Sequence, residues 1–409
     1  LVHDRPQAPR SVVVKTASSD PVSRATSAAL RHGAVEVGFY THYAERSSVR
    51  RPECHLAAIY DAADDVVFVL EDLADSTQGD QIDGMAPEDV AAAVDELAAL
   101  HGSWWESPPA DIPDVLGERG DPLAHAALLG MLHTGFADRY GDQLGSDVMA
   151  LSERLLEAAG TYLGDRPGPR SMVHGDFRPD NLLVGPRGVA VVDWQTVNSG
   201  AALADVSYLV GGALAPEERN DHEHELLDRY RARLAEHGVE VDRATIEHGY
   251  RRYALDGLVM AIGASQVVGQ TERVDRMFMA IAERAAIHDT EADTLRLHKI
   301  GPAGSRAPEG YVAPSERPAR RSEVGGGGDD LLAELGDGGD RVRGQSQQES
   351  RNPQAGDAPG RHLLGRSGRV YAHDAEIHCA DLDRRGIAAR FLGRGVHGRD
   401  QHVQVSHRG

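Results

Sequence analysis

Lysine is nearly missing from this chain: of 43 basic residues only Lys15 and Lys299 are lysines, the rest being arginines. A lysine in a structurally meaningful place is therefore informative. Positive charge as a whole is short as well. The formal net charge of −21 means that nucleic acid and anionic membrane surfaces, both polyanions, would be repelled at long range, so neither is expected as a partner. A cationic or neutral substrate is easier to accommodate. Cysteine is almost absent: Cys54 and Cys379 stand in unrelated contexts without disulfide or zinc spacing and read as free thiols of a reducing compartment. No apolar run approaches membrane-spanning length, and Leu1 to Arg10 is polar and proline-containing, unlike a signal peptide. The expected location is the cytoplasm.

What is present fits a soluble globular chain with room for two or three domains. Ser11 to Lys15 (SVVVK) is a β-branched run that reads as a strand, and Pro21 to Tyr43 carries a helical pattern through Ala25, Ala28, Val35 and Phe39, with Gly33 as the candidate break. His55 to Tyr60 and Val66 to Leu70 are apolar runs on either side of the turn-rich Asp61 to Asp65, the pattern of an antiparallel hairpin, and Glu71 to Leu73 then leaves the sheet. From Pro87 the chain turns helical, repeating Val90, Val94, Leu97, Leu100 and Trp104 at helical spacing. Further helical patterns cover roughly 121–140, 146–163, 217–237, 243–268 and 273–288, with Gly238 in the usual C-terminal capping position. Ser171 to Val197 interrupts them with short strand-like pieces, Leu182 to Val184 and Val189 to Val192. Beyond about Ile300 glycine, arginine, serine, glutamine and proline dominate, and the apolar patches at Leu331 to Leu335 and Ile387 to Leu392 are too isolated to offset the entropy of ordering; disorder is expected there. The run Gly325 to Gly328 is not a phosphate loop, because no GxxxxGK[ST] pattern exists in the chain.

The interruption carries the chemistry. It reads His174-Gly175-Asp176-Phe177-Arg178-Pro179-Asp180-Asn181, then a hairpin-like stretch, then Asp193-Trp194-Gln195. Phosphoryl transfer asks a protein to orient an acceptor hydroxyl, accept its proton and neutralise phosphate charge with a divalent metal. Asp176 suits the proton acceptor, Asn181 offers an amide oxygen to metal, and Asp193 at a strand end would bridge metal to phosphates. Hard oxygen ligands make magnesium the expected ion. His174 reads as an orienting residue.

This HGDxxxxN…D set resembles the catalytic and metal-binding loops of the aminoglycoside/choline phosphotransferase branch of the protein-kinase-like fold, with Gly175 where protein kinases have arginine. The wording Asp193-Trp194-Gln195-Thr196 followed by Ala204-Asp205-Val206-Ser207-Tyr208-Leu209 is similar to a bacterial subgroup related to the ecdysteroid-kinase-like proteins. The resemblance implies an α+β, two-lobe fold: a small antiparallel-sheet N-terminal lobe over 1–73, a mainly helical catalytic and substrate lobe over 74–295, and a tail over 296–409. It implies ATP and Mg2+ as cofactors and a small-molecule hydroxyl as acceptor. It further places Lys15 on the nucleotide phosphates, paired with Glu36, puts Arg178 near the transferred charge, makes Asp205 a buried scaffold of the catalytic loop, and makes Glu71 to Leu73 the hinge whose backbone meets adenine. Only about a dozen residues, none of them glycine, precede Lys15, so relative to the family the N-terminal lobe is expected to be truncated. That departure motivates an alternative, a nucleotide-binding pseudokinase or interaction protein with impaired catalysis. His222 and His224, two apart on a helical pattern, point to different sides and make no metal site; Leu100, Trp104 and Trp105 read as core.

Overall fold

The computed structural model describes residues 9, 11–60, 65–112, 122–292, 294–295, 369–372, 375–378 and 402–405. The expected turn at 61–64, Lys299, Cys379, Gly325 to Gly328 and the two isolated apolar patches lie outside these residues.

The N-terminal part is built on an antiparallel sheet. Strand β1 (Val12–Thr16) buries Val12 and Val14 and leaves Lys15 and Thr16 at its half-buried end. It pairs with β3 (Val66–Glu71), which also pairs with β2 (Cys54–Ile59). As the interior strand, β3 buries Val66 through Leu70 without a break, whereas β2, with one neighbour, alternates less fully. The other side of β1 is taken by β11 (His402–Val405), giving the order β11-β1-β3-β2. A further hairpin joins β9 (Arg369–Ala372) to β10 (Ala375–His378). These three short strands fall in the segment for which disorder was expected.

Between β1 and β2 the helical pattern is realised in three pieces: α1 (Pro21–Leu30), α2 (His32–Gly38) and a wider π-helical turn over Phe39–Tyr43. The break is not at Gly33, which is buried inside α2. It is at Arg31, whose left-handed backbone (φ 56°) caps α1 by donating its N–H to the carbonyls of Ser27 and Ala28.

After the short β4 (Thr77–Gln78), the helix α3 (Pro87–Trp104) buries Val90, Val94, Leu97, Leu100 and Trp104, the stripe that the spacing predicts. Helices α4 (Pro122–Tyr140) and α5 (Ser146–Gly164) follow. The interruption then forms two small antiparallel ladders. Strand β5 (Arg170–Val173) pairs with β8 (Asn198–Ala201), and β6 (Leu182–Gly185) pairs with both β7 (Gly188–Val191) and β4. Helix α6 (Ala202–Ala213) has no counterpart among the helical patterns read from the sequence. It is apolar nearly all round and buried nearly all round, so it offers no amphipathic period to detect.

Helix α7 (Pro216–Glu236) follows, with Gly238 (φ 77°) just beyond its end. The pattern at 243–268 is two helices, not one: α8 (Arg243–Arg252) and α9 (Asp256–Ala264). The break is made by tertiary anchors. Tyr253 donates its hydroxyl to the Pro167 carbonyl at 2.5 Å, and Asp256 accepts a bidentate pair from Arg166 at 2.7 and 2.6 Å. Helix α10 (Glu272–Ala292) completes the helical part. Two apolar clusters result, one containing Phe39, Leu97, Val191, Leu209 and Tyr230, the other Phe136, Leu155, Ile262 and Phe278. The interruption runs along the first cluster, and its loops emerge beside the end of β1. Among the described residues no helix is long and apolar enough to cross a membrane.

Candidate active site

The loop after β5 is shaped by its backbone before any side chain acts. Gly175 has φ +80°, and a Cβ there would lie 2.7 Å from the Thr196 carbonyl oxygen, so only glycine fits both the conformation and the space. Asp205, at the start of α6, fixes the same turn: its carboxylate accepts the His174 N–H at 2.7 Å and the Gly175 N–H at 3.1 Å. His101 lies 3.4 Å from that carboxylate and is itself tied to the Tyr230 hydroxyl at 2.7 Å. His174 is fully buried, with Nε2 3.1 Å from the Val192 carbonyl, and its own carbonyl accepts the Thr196 hydroxyl at 2.9 Å. The loop is thus pinned from α6, from α3 through His101, and from the segment after β7.

Asp176 projects from this turn, mostly buried. Its Oδ2 accepts from Arg178 Nε at 3.1 Å and from Asn181 Nδ2 at 3.0 Å, and Asn181 also donates to the Asp176 carbonyl at 2.8 Å. The Tyr208 hydroxyl lies 3.4 Å from Oδ1. Burial and the neighbouring carboxylate of Asp176 push the Tyr208 phenol well above its ordinary range, so it stays protonated and can donate. Arg178 reaches Asp180 as well, at 2.5 Å, and Asp180 accepts from Arg273 of α10 at 3.1 Å; Arg273 also holds Asp80 at 2.9 Å. Burial lowers the Arg178 pKa, but the facing Asp176, Tyr208 and Asp180 outweigh it, and the guanidinium stays charged.

Lys15, at the end of β1, arrives from 178 positions away in sequence. Its ammonium lies 2.7 Å from Glu36 Oε2 and 2.6 Å from Asp193 Oδ1. Burial lowers the lysine pKa, and the two carboxylates more than reverse that, holding it above the usual amine range. Asp193 is kept below the usual carboxylate range: burial would raise it, but Lys15, His174 and Arg178 favour the anion. Glu36 goes the other way, to about 6, because burial and the nearby Asp193 outweigh the attraction of Lys15. Asp193 adopts a left-handed backbone (φ 66°, ψ 64°), uncommon for a residue with a side chain, two residues past the end of β7. The next residue holds that turn: Trp194 is fully buried and stacks on Phe39 of the π-helical turn, with centroids 3.9 Å apart and 7° between planes.

Of the residues singled out in the sequence, Lys15, Glu36 and Asp193 meet in one cluster, and Asp176, Arg178 and Asn181 in a second. Glu71 and Leu73 stand apart from both. Glu71 ends β3, where its carboxylate accepts from the Glu53 N–H at 3.2 Å and from Arg187 at 2.8 Å; Leu73 is buried, and its carbonyl accepts the Ser76 N–H at 2.9 Å. His101, Asp80 and Arg273 were not foreseen. They sit on other elements, Arg273 being 93 positions from its partner Asp180, and no local pattern distinguishes them from surface polar residues.

The sequence model of the phosphotransferase enzyme family matches residues 7–252. The chain belongs to this family. Its small antiparallel sheet followed by a mainly helical remainder is the α+β, protein-kinase-like arrangement that the resemblance implied. A comparison with curated proteins gives no match. Among solved structures, the chain is similar to a choline kinase, LicA, from Streptococcus pneumoniae (13% identity, 69% of this chain and 91% of that one, TM-score 0.38). It is also similar to a choline kinase from Cryptosporidium parvum Iowa II (12%, 65% and 79%, TM-score 0.43). A third is an aminoglycoside phosphotransferase from Alicyclobacillus acidocaldarius (18%, 73% and 92%, TM-score 0.39).

In this member of the phosphotransferase enzyme family a cavity of about 240 Å³ opens beside the Asp176 turn. Gly175, Asp205 and Tyr208 form one wall, β5 and β8 the floor, and α4, α5 and α9 the remainder.

Proposed function

We propose that the chain moves the γ-phosphate of ATP to a hydroxyl of a small molecule, with the segment up to residue 73 holding nucleotide and the segment 74–295 holding the acceptor. The observation that carries this reading is the convergence of Lys15, Glu36 and Asp193 at 2.7 and 2.6 Å, residues from separate elements that a nucleotide phosphate chain would use as one unit. Lys15 is the cation for the α- and β-phosphates, and Glu36 positions it. Glu71 to Leu73 supplies backbone groups to adenine.

Asp176 accepts the proton of the acceptor hydroxyl as the oxygen bonds to the γ-phosphorus and the bond to the bridging oxygen of ADP breaks. Tyr208 and Asn181 orient its carboxylate by donating to it. Arg178 faces the transferred charge from its place between Asp176 and Asp180. Magnesium takes hard oxygen donors, and the ionised Asp193 together with the amide oxygen of Asn181, whose nitrogen is committed to Asp176, suit it. When bound there it would neutralise charge on the phosphate oxygens.

The test is ³¹P detection of transfer from ATP across a panel of small hydroxyl compounds, with Asp176→Asn in parallel. Transfer by the wild type that is lost in the variant supports the reading. Nucleotide binding without transfer to any compound would favour a binding protein instead.

A further inference from the structure

Resting on the phosphotransfer reading above, we infer that the acceptor is an uncharged alcohol on a small apolar body, seated in the cavity beside Gly175 and Tyr208. The lining supports this directly. Leu129 and Leu132 of α4, Leu163 of α5, Val173 of β5, and Val259 and Met260 of α9 line it, and the two lining arginines are held by their own partners, Arg166 by Asp256 and Arg170 by Ser199. A cationic acceptor would need a carboxylate left over or a cage of aromatic rings to receive it, since a buried charge is costly without a partner, and Tyr208 is the one Phe, Tyr or Trp among the lining residues. The two carboxylates on the wall are already committed. Asp205 accepts two loop N–H groups at 2.7 and 3.1 Å, and Asp256 holds Arg166 through both oxygens while also accepting the Tyr162 hydroxyl at 2.8 Å.

Size narrows the class further. Sites for drug-sized ligands run to roughly 300–1,000 Å³, and this cavity, at about 240 Å³, is smaller. A single ring or short branched chain is the body that this volume matches. The polar end of such an alcohol meets the wall formed by Gly175 and Tyr208, where the Tyr208 hydroxyl stands 3.4 Å from Asp176 Oδ1. Tyr208, which lines the cavity and faces Asp176, is the link between that hydroxyl and the proton acceptor.

The experiment compares cyclohexylmethanol, choline, kanamycin and a sterol alcohol as acceptors with ATP and magnesium, and measures cyclohexylmethanol binding by calorimetry. It uses the full chain and two cavity variants. Met260→Trp fills the space and Met260→Gln keeps its size but adds polarity, so a folding failure of the first leaves the second to decide. Cyclohexylmethanol is expected to give the highest kcat/KM of the four, and its binding to weaken by about ten-fold or more in each folded variant. Preferred transfer to choline, kanamycin or the sterol overturns the inference while leaving phosphotransfer intact. Absence of cyclohexylmethanol binding, or binding indifferent to every folded variant, overturns it too. Binding that follows the cavity without transfer to any acceptor upholds the apolar ligand and sinks the phosphotransfer reading instead.

Discussion

Asp176 and Asn181 touch each other, yet the roles assigned to them respond to different chemistry. Asp176→Asn keeps the shape, and its amide oxygen can still accept from Arg178 and Asn181, but it loses the charge that takes a proton, so turnover should fall by roughly 10²–10⁴-fold with nucleotide affinity little changed. Asn181→Ala removes a metal donor, and its defect should be partly relieved by raising magnesium, which cannot help Asp176→Asn. Steady-state kinetics over a magnesium series separate the two; an identical magnesium response in both variants would refute the division of roles. At the other cluster, Asp193→Ala removes both a metal donor and the closer partner of Lys15. Magnesium-dependent nucleotide binding should disappear from the thermal-shift record while the apo protein still melts cooperatively, and unchanged affinity would sink that assignment.

Elements matter here mainly for the turns between them. The loop between β5 and β6 works only because its second residue reverses the chain at φ +80° against the Thr196 carbonyl. Gly175→Ala should therefore cost about 1–3 kcal/mol from the left-handed backbone alone, and the contact at 2.7 Å adds to it because a carbonyl oxygen cannot swing aside as a side-chain tip can. Denaturant unfolding checks the loss, and an unshifted midpoint would mean the turn relaxes freely. The π-helical turn after α2 carries a comparable burden, since Phe39 supplies the ring on which Trp194 stacks beside the left-handed Asp193. Phe39→Ala should destabilise by roughly 3–5 kcal/mol, as large-to-small changes at fully buried aromatics do. The same variant should weaken nucleotide binding, because the Asp193 turn loses its support; a stability loss with intact affinity would show that the turn holds itself.

Across the whole molecule, pH stability should carry the mark of His288. This histidine of α10 is buried 4.7 Å (ring to ring) from Tyr250, and burial, with the nearby Arg219 cation, pushes its pKa from 6.5 down to about 3. The unfolded chain therefore takes up a proton near pH 6.5 that the folded protein refuses until about pH 3. Stability from this group is complete above the unfolded value and is lost as pH falls through that window, at up to roughly 1.4 kcal/mol per pH unit. Glu36, raised to about 6, acts with the opposite sign as pH rises from 4.5, so the wild-type curve alone mixes the two. The difference between wild type and His288→Leu in urea midpoints from pH 7 to pH 4 isolates the histidine. Parallel curves would show that the histidine is protonated in place.

The sequence by itself determined the elements with a clear period and the motif with a fixed spacing. Strand β1, the β2–β3 hairpin, α3 and the run from His174 to Asn181 follow from alternation, helical spacing and residue order, all properties of neighbouring residues. Scarcity helped as well, since Lys15 stood out only because lysine is so rare. Tertiary structure decided what neighbours cannot encode. Helix α6 has no polar face because it is buried on all sides, and the break between α8 and α9 is drawn by Arg166 and Pro167, some 90 positions away. The break at Arg31 instead of Gly33 lies where a non-glycine residue takes the left-handed backbone and its N–H caps α1, which residue type alone does not announce. Only the folded chain sets Asp205 against the His174 turn, chains Asp80 to Asp176 through two arginines, and closes an apolar cavity beside them. Those contacts join residues far apart in sequence, and their energies depend on burial, which one-dimensional patterns do not carry.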